Sequence, residues 1–262
     1  MFANKKLGQN FLIDKNKIND IVSAIEIPRQ DTLVVEVGPG LGALTIPLSK
    51  KTKNLIAIEI DPNLSKELKK SLPDLRLVTD DVLKVNLNQI SQMGAVFVSN
   101  LPYYISTKIL FQAMGNPNFI SINVMLQKEL VDRIISDVGS RDYGRLAVSI
   151  WSFFEVERVI PVSKGCFKPK PNVDSKFIKL TRTKRPIEER EEYLQFIKDS
   201  FHTKRKTWLN SLKESNSPYY QKIEKWINEN NIPSSARAEQ ISVDQFKWIW
   251  KEWIMKPEEE EK

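Results

Sequence analysis

Five short β-rich runs, interleaved with helical patterns, dominate the first half of the chain. TLVVEVG (32–38), NLIAIEI (54–60), LRLVTD (75–80), AVFVSN (95–100) and SINVMLQ (121–127) read as strands. Between them LGALTIPLSKK, PNLSKELKKSL and STKILFQAM carry helical spacing. Alternation at this spacing restricts the fold to a parallel sheet with helices on both faces, an α/β architecture. SFFEVERVIPV and SKFIKLTRT predict two later strands, antiparallel at the sheet edge. After TRTKRPIEER the pattern turns helical with aromatic anchors, in YLQFIKDSF, YYQKIEKWI and VDQFKWIWKEWIM. Proline and charge cluster at Arg185–Pro186, which places a boundary there: an α/β domain over 1–185 and a smaller all-α domain over 186–262. The EEEEK tail is expected to fray.

Composition excludes several classes. No run of about 18 apolar residues occurs, so no membrane-spanning helix is expected. One cysteine, Cys166, and one histidine, His202, leave no internal disulfide, cysteine zinc site or histidine-rich metal site, and no metal is expected. The stretch MFANKKLGQNFLIDKN lacks the apolar core of a secretory signal, and a reducing cytoplasm is the expected compartment. The net charge is +7, and its distribution is uneven. Lys164–Lys213 holds 14 Lys and Arg against 6 Asp and Glu, and the rest of the chain sums to −1. A basic excess confined to one segment fits a polyanion such as nucleic acid; it also fits a solvated face without a partner.

VVEVGPGLGALT (34–45) joins a strand to a helix through Gly38, Gly40 and Gly42. Glycines there admit positive φ and the close approach of a ligand, and the following helix offers unpaired N–H groups. Glu59, at the end of the second strand, is placed to accept from both hydroxyls of a ribose. Asp81, in TDDVL after the third strand, is placed to accept from an adenine amine. The three features describe a pocket for an adenosine-containing cofactor. A dinucleotide and S-adenosylmethionine both qualify, because G-P-G-L-G discriminates weakly between them.

At Asn100–Tyr103 a buried strand breaks into NLPY. If the cofactor is S-adenosylmethionine and the acceptor an exocyclic amine of a base, this combination has a purpose. The amine lone pair is delocalised into the ring and is a poor nucleophile. Two acceptors aimed at its two hydrogens favour a tetrahedral nitrogen and free that pair. The Asn100 side-chain oxygen and the Leu101 carbonyl suit this role, and Pro102 fixes the backbone that carries them. The Tyr103 ring offers a stacking face for a flipped base, worth about 1–3 kcal/mol. The methylated amine is cationic and sheds its proton readily, so the chemistry rests on positioning and polarisation rather than on a strong base. As an ordinary strand exit, NLPY has no such purpose.

From these motifs onward the chain resembles the ribosomal RNA adenine-N6 dimethyltransferases, most closely the KsgA-type branch that acts on small-subunit rRNA. GQNFLID (8–14), EVGPGLGALT, EIDP, DDVL and NLPYYIS resemble family blocks in order. MLQKE, YGRLAV, FKPKPNVDS, FHTKRKTWLNSL and ARAEQISVDQF continue the series over nearly the whole chain. NLPY, VDS and the RAE-x-I-S block side with this branch rather than with the sister enzymes of large-subunit rRNA. The resemblance implies a Rossmann-like S-adenosylmethionine-dependent methyltransferase domain followed by a helical rRNA-recognition domain. It implies that Asn10 and Leu12 touch the cofactor with Gly38, Gly40, Glu59, Asp81 and Asn100, and that Phe167 faces Tyr103 across the target adenine. From the residues alone, Phe167 reads equally as core. The substrate implied is two adjacent adenines in the 3′-terminal hairpin of 16S rRNA, each dimethylated. Lys204, Arg205 and Lys206 stand where the family carries a basic RRK; lysine keeps the charge without the bidentate fork. A monomer is expected, Cys166 reads as packing, and His202 reads as a surface or RNA-side residue rather than a catalyst. An NAD-linked oxidoreductase would leave NLPY and the basic segment without a purpose. A non-enzymatic RNA-binding role would tolerate damage at Gly38, Glu59 or Asn100, and all three are intact.

Overall fold

The computed structural model describes residues 7–184, 187 and 189–256. The boundary residues Arg185–Pro186 and the EEEEK tail lie outside that range. The strands are β1 (Phe11–Leu12), β2 (Val34–Val37), β3 (Leu55–Glu59), β4 (Arg76–Thr79), β5 (Ala95–Asn100), β6 (Phe119–Gln127), β7 (Phe154–Val162), β8 (Phe167–Lys168) and β9 (Ser175–Arg182). Seven form one sheet in the order β4-β3-β2-β5-β6-β9-β7, and β1 pairs with β8 in a separate antiparallel ribbon. The strands from β4 to β6 are parallel, while β9 returns antiparallel beside β6. Thus β9 is antiparallel as expected but lies inside the sheet, with β7 beyond it.

The parallel strands are continuous apolar runs because helices cover both faces. VVEV, LIAIE and AVFVS are buried throughout. The order in which successive strands are added reverses between β2 and β5, the switch point at which ligands of such sheets bind. Asp14 caps the helix Lys15–Ala24 by accepting from Lys17 N, and Asp61 caps Pro62–Ser71 by accepting from Asn63 N, with proline at the first helical position. The expected helix over 41–51 is regular only over Thr45–Leu48, because Gly42, at φ +83°, cannot belong to a right-handed first turn. The helices Lys128–Ile134, Arg145–Trp151 and Trp208–Glu214 and the β1–β8 ribbon were not expected.

The chain divides into two compact units, 1–131 with 156–182 and 132–155 with 183–262. The second unit therefore takes in residues 132–155, which the expected division at 185/186 assigns to the first domain. Long-range bonds explain the grouping. Tyr143 Oη donates to Ile241 O at 2.9 Å, Gly139 N donates to Glu239 O at 2.8 Å, and the Ser152 and Tyr193 hydroxyls are 2.7 Å apart. Aromatic rings fill this unit's core: Phe196 stacks on Trp250 at 5.7 Å and meets Tyr219 and Phe246 edge-on.

Candidate active site

The pocket of the first unit opens at the switch point, at the carboxyl ends of β2, β3 and β5. Gly38 and Gly40 hold φ of +67° and +57°, a conformation that glycine adopts without penalty. A Cβ at Gly40 would lie 3.2 Å from the Phe11 ring, a tight contact that would press on that ring in addition to the strain of the positive φ. Glu59 is 4% exposed. Its Oε2 accepts from Gly40 N at 3.1 Å and its Oε1 from Asp61 N at 2.9 Å. Each oxygen is thereby aimed and keeps lone-pair capacity for a ribose hydroxyl. Burial raises the Glu59 carboxyl above its usual range, against the pull of these N–H donors. Asp81 accepts from Leu83 N through Oδ1 at 3.0 Å, which fixes the loop after β4.

The second half of the pocket wall is NLPY. Asn100 Nδ2 donates to the Asn10 carbonyl at 3.1 Å. Because a carbonyl only accepts, this bond sets the orientation of the amide and leaves Oδ1 as the acceptor. Asn10 itself donates to Gly8 O, and Gln9 donates to Asp61 Oδ2 at 3.1 Å, so the segment Gly8–Leu12 ties Asn100 to the Glu59–Asp61 corner. Leu101 N donates to Met125 O, and Ile105 N to Pro102 O closes the turn that follows. Tyr103 Oη lies 2.6 Å from Ser175 Oγ, and burial raises the phenol so that it stays protonated.

The pocket lining brings together Asn10, Leu12, Gly38, Gly40, Glu59 and Asp81 with Asn100, Leu101, Pro102 and Tyr103. Phe167 is not brought to it. Its ring is 4% exposed within the core cluster, and its backbone pairs with Leu12. Lys204, Arg205 and Lys206 are exposed in the second unit, Lys206 in an ion pair with Glu214. Cys166 is buried, and burial raises its thiol; His202 is exposed. No cluster of metal-ligating groups occurs among the described residues, and no helix among them is long and apolar enough to cross a membrane.

Three lining residues, Glu36, Phe11 and Tyr104, were not singled out from the sequence, nor was Ser175, which bonds to the lining residue Tyr103. Glu36 stands as an acid inside the apolar run VVEV, a visible signal. Ser175, partner of Tyr103, sits in the VDS of a quoted block. Phe11 covers Gly40, and Tyr104 is 60% exposed at the pocket while packing toward Gly8.

The chemistry of the lining separates the two cofactors. Glu36, Glu59, Asp80 and Asp81 line the pocket, and no Lys, Arg or His does among the described residues. A dinucleotide brings a doubly charged pyrophosphate, whereas S-adenosylmethionine brings a sulfonium, an ammonium and one carboxylate, a net positive charge. The acidic lining suits the second. The inserted antiparallel β9 also departs from the dinucleotide sheet, which continues with a parallel strand. Fold and site together define an S-adenosylmethionine-dependent methyltransferase.

The family model described as ribosomal RNA adenine dimethylase matches residues 2–254, and the chain belongs to that family. Relatives called ribosomal RNA small subunit methyltransferase A are 39% identical in Malacoplasma penetrans, over 94% of this chain and 90% of the relative, and 38% identical in Chlorobaculum parvum, over 92% and 86%. The crystal structure of the 23S rRNA methyltransferase ErmE aligns with TM-score 0.70 and 28% identity, over 94% of this chain and 100% of that one. A dimethyladenosine transferase from Plasmodium falciparum shares the fold with TM-score 0.78 and 24% identity, over 92% and 98%.

Proposed function

We propose that this enzyme dimethylates N6 of two adjacent adenosines in the 3′-terminal hairpin of 16S rRNA, in the cytoplasm and as a monomer. The observation that carries the chemistry is the Asn100–Asn10 bond, which leaves Asn100 Oδ1 as an acceptor beside the cofactor pocket. The names of the curated relatives support the small subunit as substrate.

In this reading Glu59 anchors the ribose and Asp81 the adenine amine, while Asn10, Leu12, Gly38 and Gly40 wall the cofactor. The cofactor supplies an electrophilic methyl group. Asn100 Oδ1 and the Leu101 carbonyl accept the two amine hydrogens and raise the nitrogen's nucleophilicity. Pro102 keeps that carbonyl in place. Tyr103, held by Ser175, presents a ring to the extruded base. Phe167 serves as the opposite face only after its ring leaves the core. Otherwise Tyr104, already exposed, is the second aromatic surface. Lys204 and Arg205 contact rRNA phosphates.

The test is methyl transfer from labelled S-adenosylmethionine to small-subunit particles lacking the modification, with the modified nucleosides identified by mass spectrometry. Dimethyladenosine at two neighbouring positions is the expected product. No label on these particles, with label on large-subunit particles assayed in parallel, overturns the substrate assignment.

A further inference from the structure

The block FKPKPNVDS (167–175) carries more than its buried phenylalanine, and both of its ends are pinned to walls of the pocket. At the start, Phe167 and Lys168 pair with Leu12 and Phe11, and Ile13 N donates to Cys166 O at 2.8 Å. At the end, Lys128 N donates to Asp174 O at 2.9 Å, and Ser175 Oγ lies 2.6 Å from the Tyr103 hydroxyl. Phe11, Leu12 and Tyr103 all line the pocket, so the loop runs from the N-terminal wall to the ring that faces the extruded base. Pro169 and Pro171 fix φ along the way, which leaves little backbone freedom to be lost on binding. Lys168 and Lys170 are exposed on this loop. Neither they nor Lys164 form an ion pair with a described residue. Residues 163–176 hold four lysines and one acid, Asp174, whose Oδ1 already accepts from Lys164 N at 2.8 Å.

We propose that Lys168 and Lys170 are substrate-binding residues that hold the rRNA phosphates flanking the extruded adenosine. The proposal rests on the rRNA methyltransferase reading of the site. An enzyme that acts on a base taken out of its stack turns the nucleotide about its backbone, and the neighbouring phosphates come to the mouth of the pocket with it. The pocket itself resists them. Its lining carries acids, Asp80 and Asp81 among them, and no Lys, Arg or His among the described residues. A lining that suits a net-cationic cofactor disfavours a phosphate at the same mouth, and unpaired lysines beside it offset that repulsion. A free ammonium serves better than one in an ion pair, whose charge is partly cancelled before the RNA arrives. Chain position divides the work. Lys204 and Arg205 belong to the second unit, whereas Lys168 and Lys170 sit on a loop bonded to Tyr103 through Ser175. The first two dock the particle, and the second two place the nucleotide.

Salt titration and single-turnover methyl transfer on small-subunit particles lacking the modification test this, with wild type, the double variant Lys168→Ala, Lys170→Ala and the double variant Lys168→Arg, Lys170→Arg. The alanine pair should flatten the slope of log affinity against log salt by about 1.4–1.8, two phosphates at about 0.7–0.9 each. At saturating particle its rate should fall about tenfold or more, the loss of a charge-assisted contact at the reacting nucleotide. The arginine pair keeps both charges and should restore slope and rate. S-adenosylmethionine affinity should be unchanged in both. Alanine at Lys204 and Arg205 should flatten the slope and leave the saturated rate as in wild type. A wild-type slope in the Lys168 and Lys170 alanine pair overturns the proposal, because the two lysines are then a solvated face. A flattened slope with an unchanged saturated rate also overturns it, because the phosphates held would lie away from the target. An arginine pair as impaired as the alanine pair overturns it too, since the loop's shape and not its charge would matter. If wild type neither binds nor methylates these particles, the substrate reading fails, and the proposal falls with it.

Discussion

Asn100 Nδ2 donates to the backbone carbonyl of Asn10, 90 residues away, at 3.1 Å. The bond makes the N-terminal segment part of the catalytic wall and fixes which end of the amide faces the pocket. Removing the Asn100 side chain should lower turnover by about 10²-fold or more, the cost of losing one polarising group. Cofactor affinity should change little. Asn100→Asp should be similarly impaired, because a carboxylate cannot donate to Asn10 O and turns away from it. Single-turnover methyl transfer beside calorimetry checks both. Surviving turnover with collapsed RNA affinity would make Asn100 a docking residue.

Glu59 holds two backbone N–H groups as well as its expected ribose, so its loss acts twice. Glu59→Ala frees the Gly40 and Asp61 N–H groups and removes the ribose acceptor. S-adenosylmethionine binding should weaken tenfold or more, at least about 1.4 kcal/mol. An unchanged dissociation constant would remove Glu59 from the cofactor site.

The buried carboxyl of Glu36 also predicts how the ligand-free protein responds to pH. Folded, it keeps its proton up to about pH 8; its ordinary value is 4.5. Between those values the folded state holds the extra proton, and stability falls as the pH rises. The contribution is full below pH 4.5 and gone above about pH 8. Glu36→Gln carries no such proton. Without ligand it should match wild type at pH 4.5 and unfold at higher temperature at pH 8, by about 2–4 °C for each kcal/mol regained. Thermal scans across that range decide it; parallel curves for the two proteins would mean that Glu36 is already ionised in the fold.

Much of the fold was legible because parallel strands leave a strong trace. VVEV, LIAIE and AVFVSN are apolar runs that only a sheet covered on both faces buries. The residues of the pocket were legible through spacing along those strands. What was not legible depends on contacts distant in sequence. Residues 132–155 join the second unit through bonds such as Tyr143 to Ile241, 98 residues apart, and no local pattern announces them. Phe167 lies in a two-residue strand, too short for alternation to say which way its ring faces. Lys206 looked equivalent to Lys204 and Arg205 as part of a basic triplet. It pairs with Glu214, and the residue before it, Arg205, takes φ +87°, a rare conformation for a residue with a side chain that a basic triplet does not announce.

That pairing refines the expectation for RNA binding. Each lysine or arginine that neutralises an rRNA phosphate should contribute about −0.7 to −0.9 to the slope of log affinity against log salt. Lys204 and Arg205 are exposed, whereas the charge of Lys206 is already met by Glu214, which Thr203 also engages at 2.9 Å. Replacing Lys204 and Arg205 by alanine should therefore flatten the slope nearly as far as replacing all three. Lys206→Ala alone should change it little. Glu214→Gln, which releases Lys206, should make the slope steeper than in wild type. S-adenosylmethionine affinity should be the same in all four proteins, since none of these residues lines the cofactor pocket. A salt titration on small-subunit particles measures each slope. Identical slopes throughout would mean that the basic turn keeps the protein in solution and that the rRNA is held elsewhere.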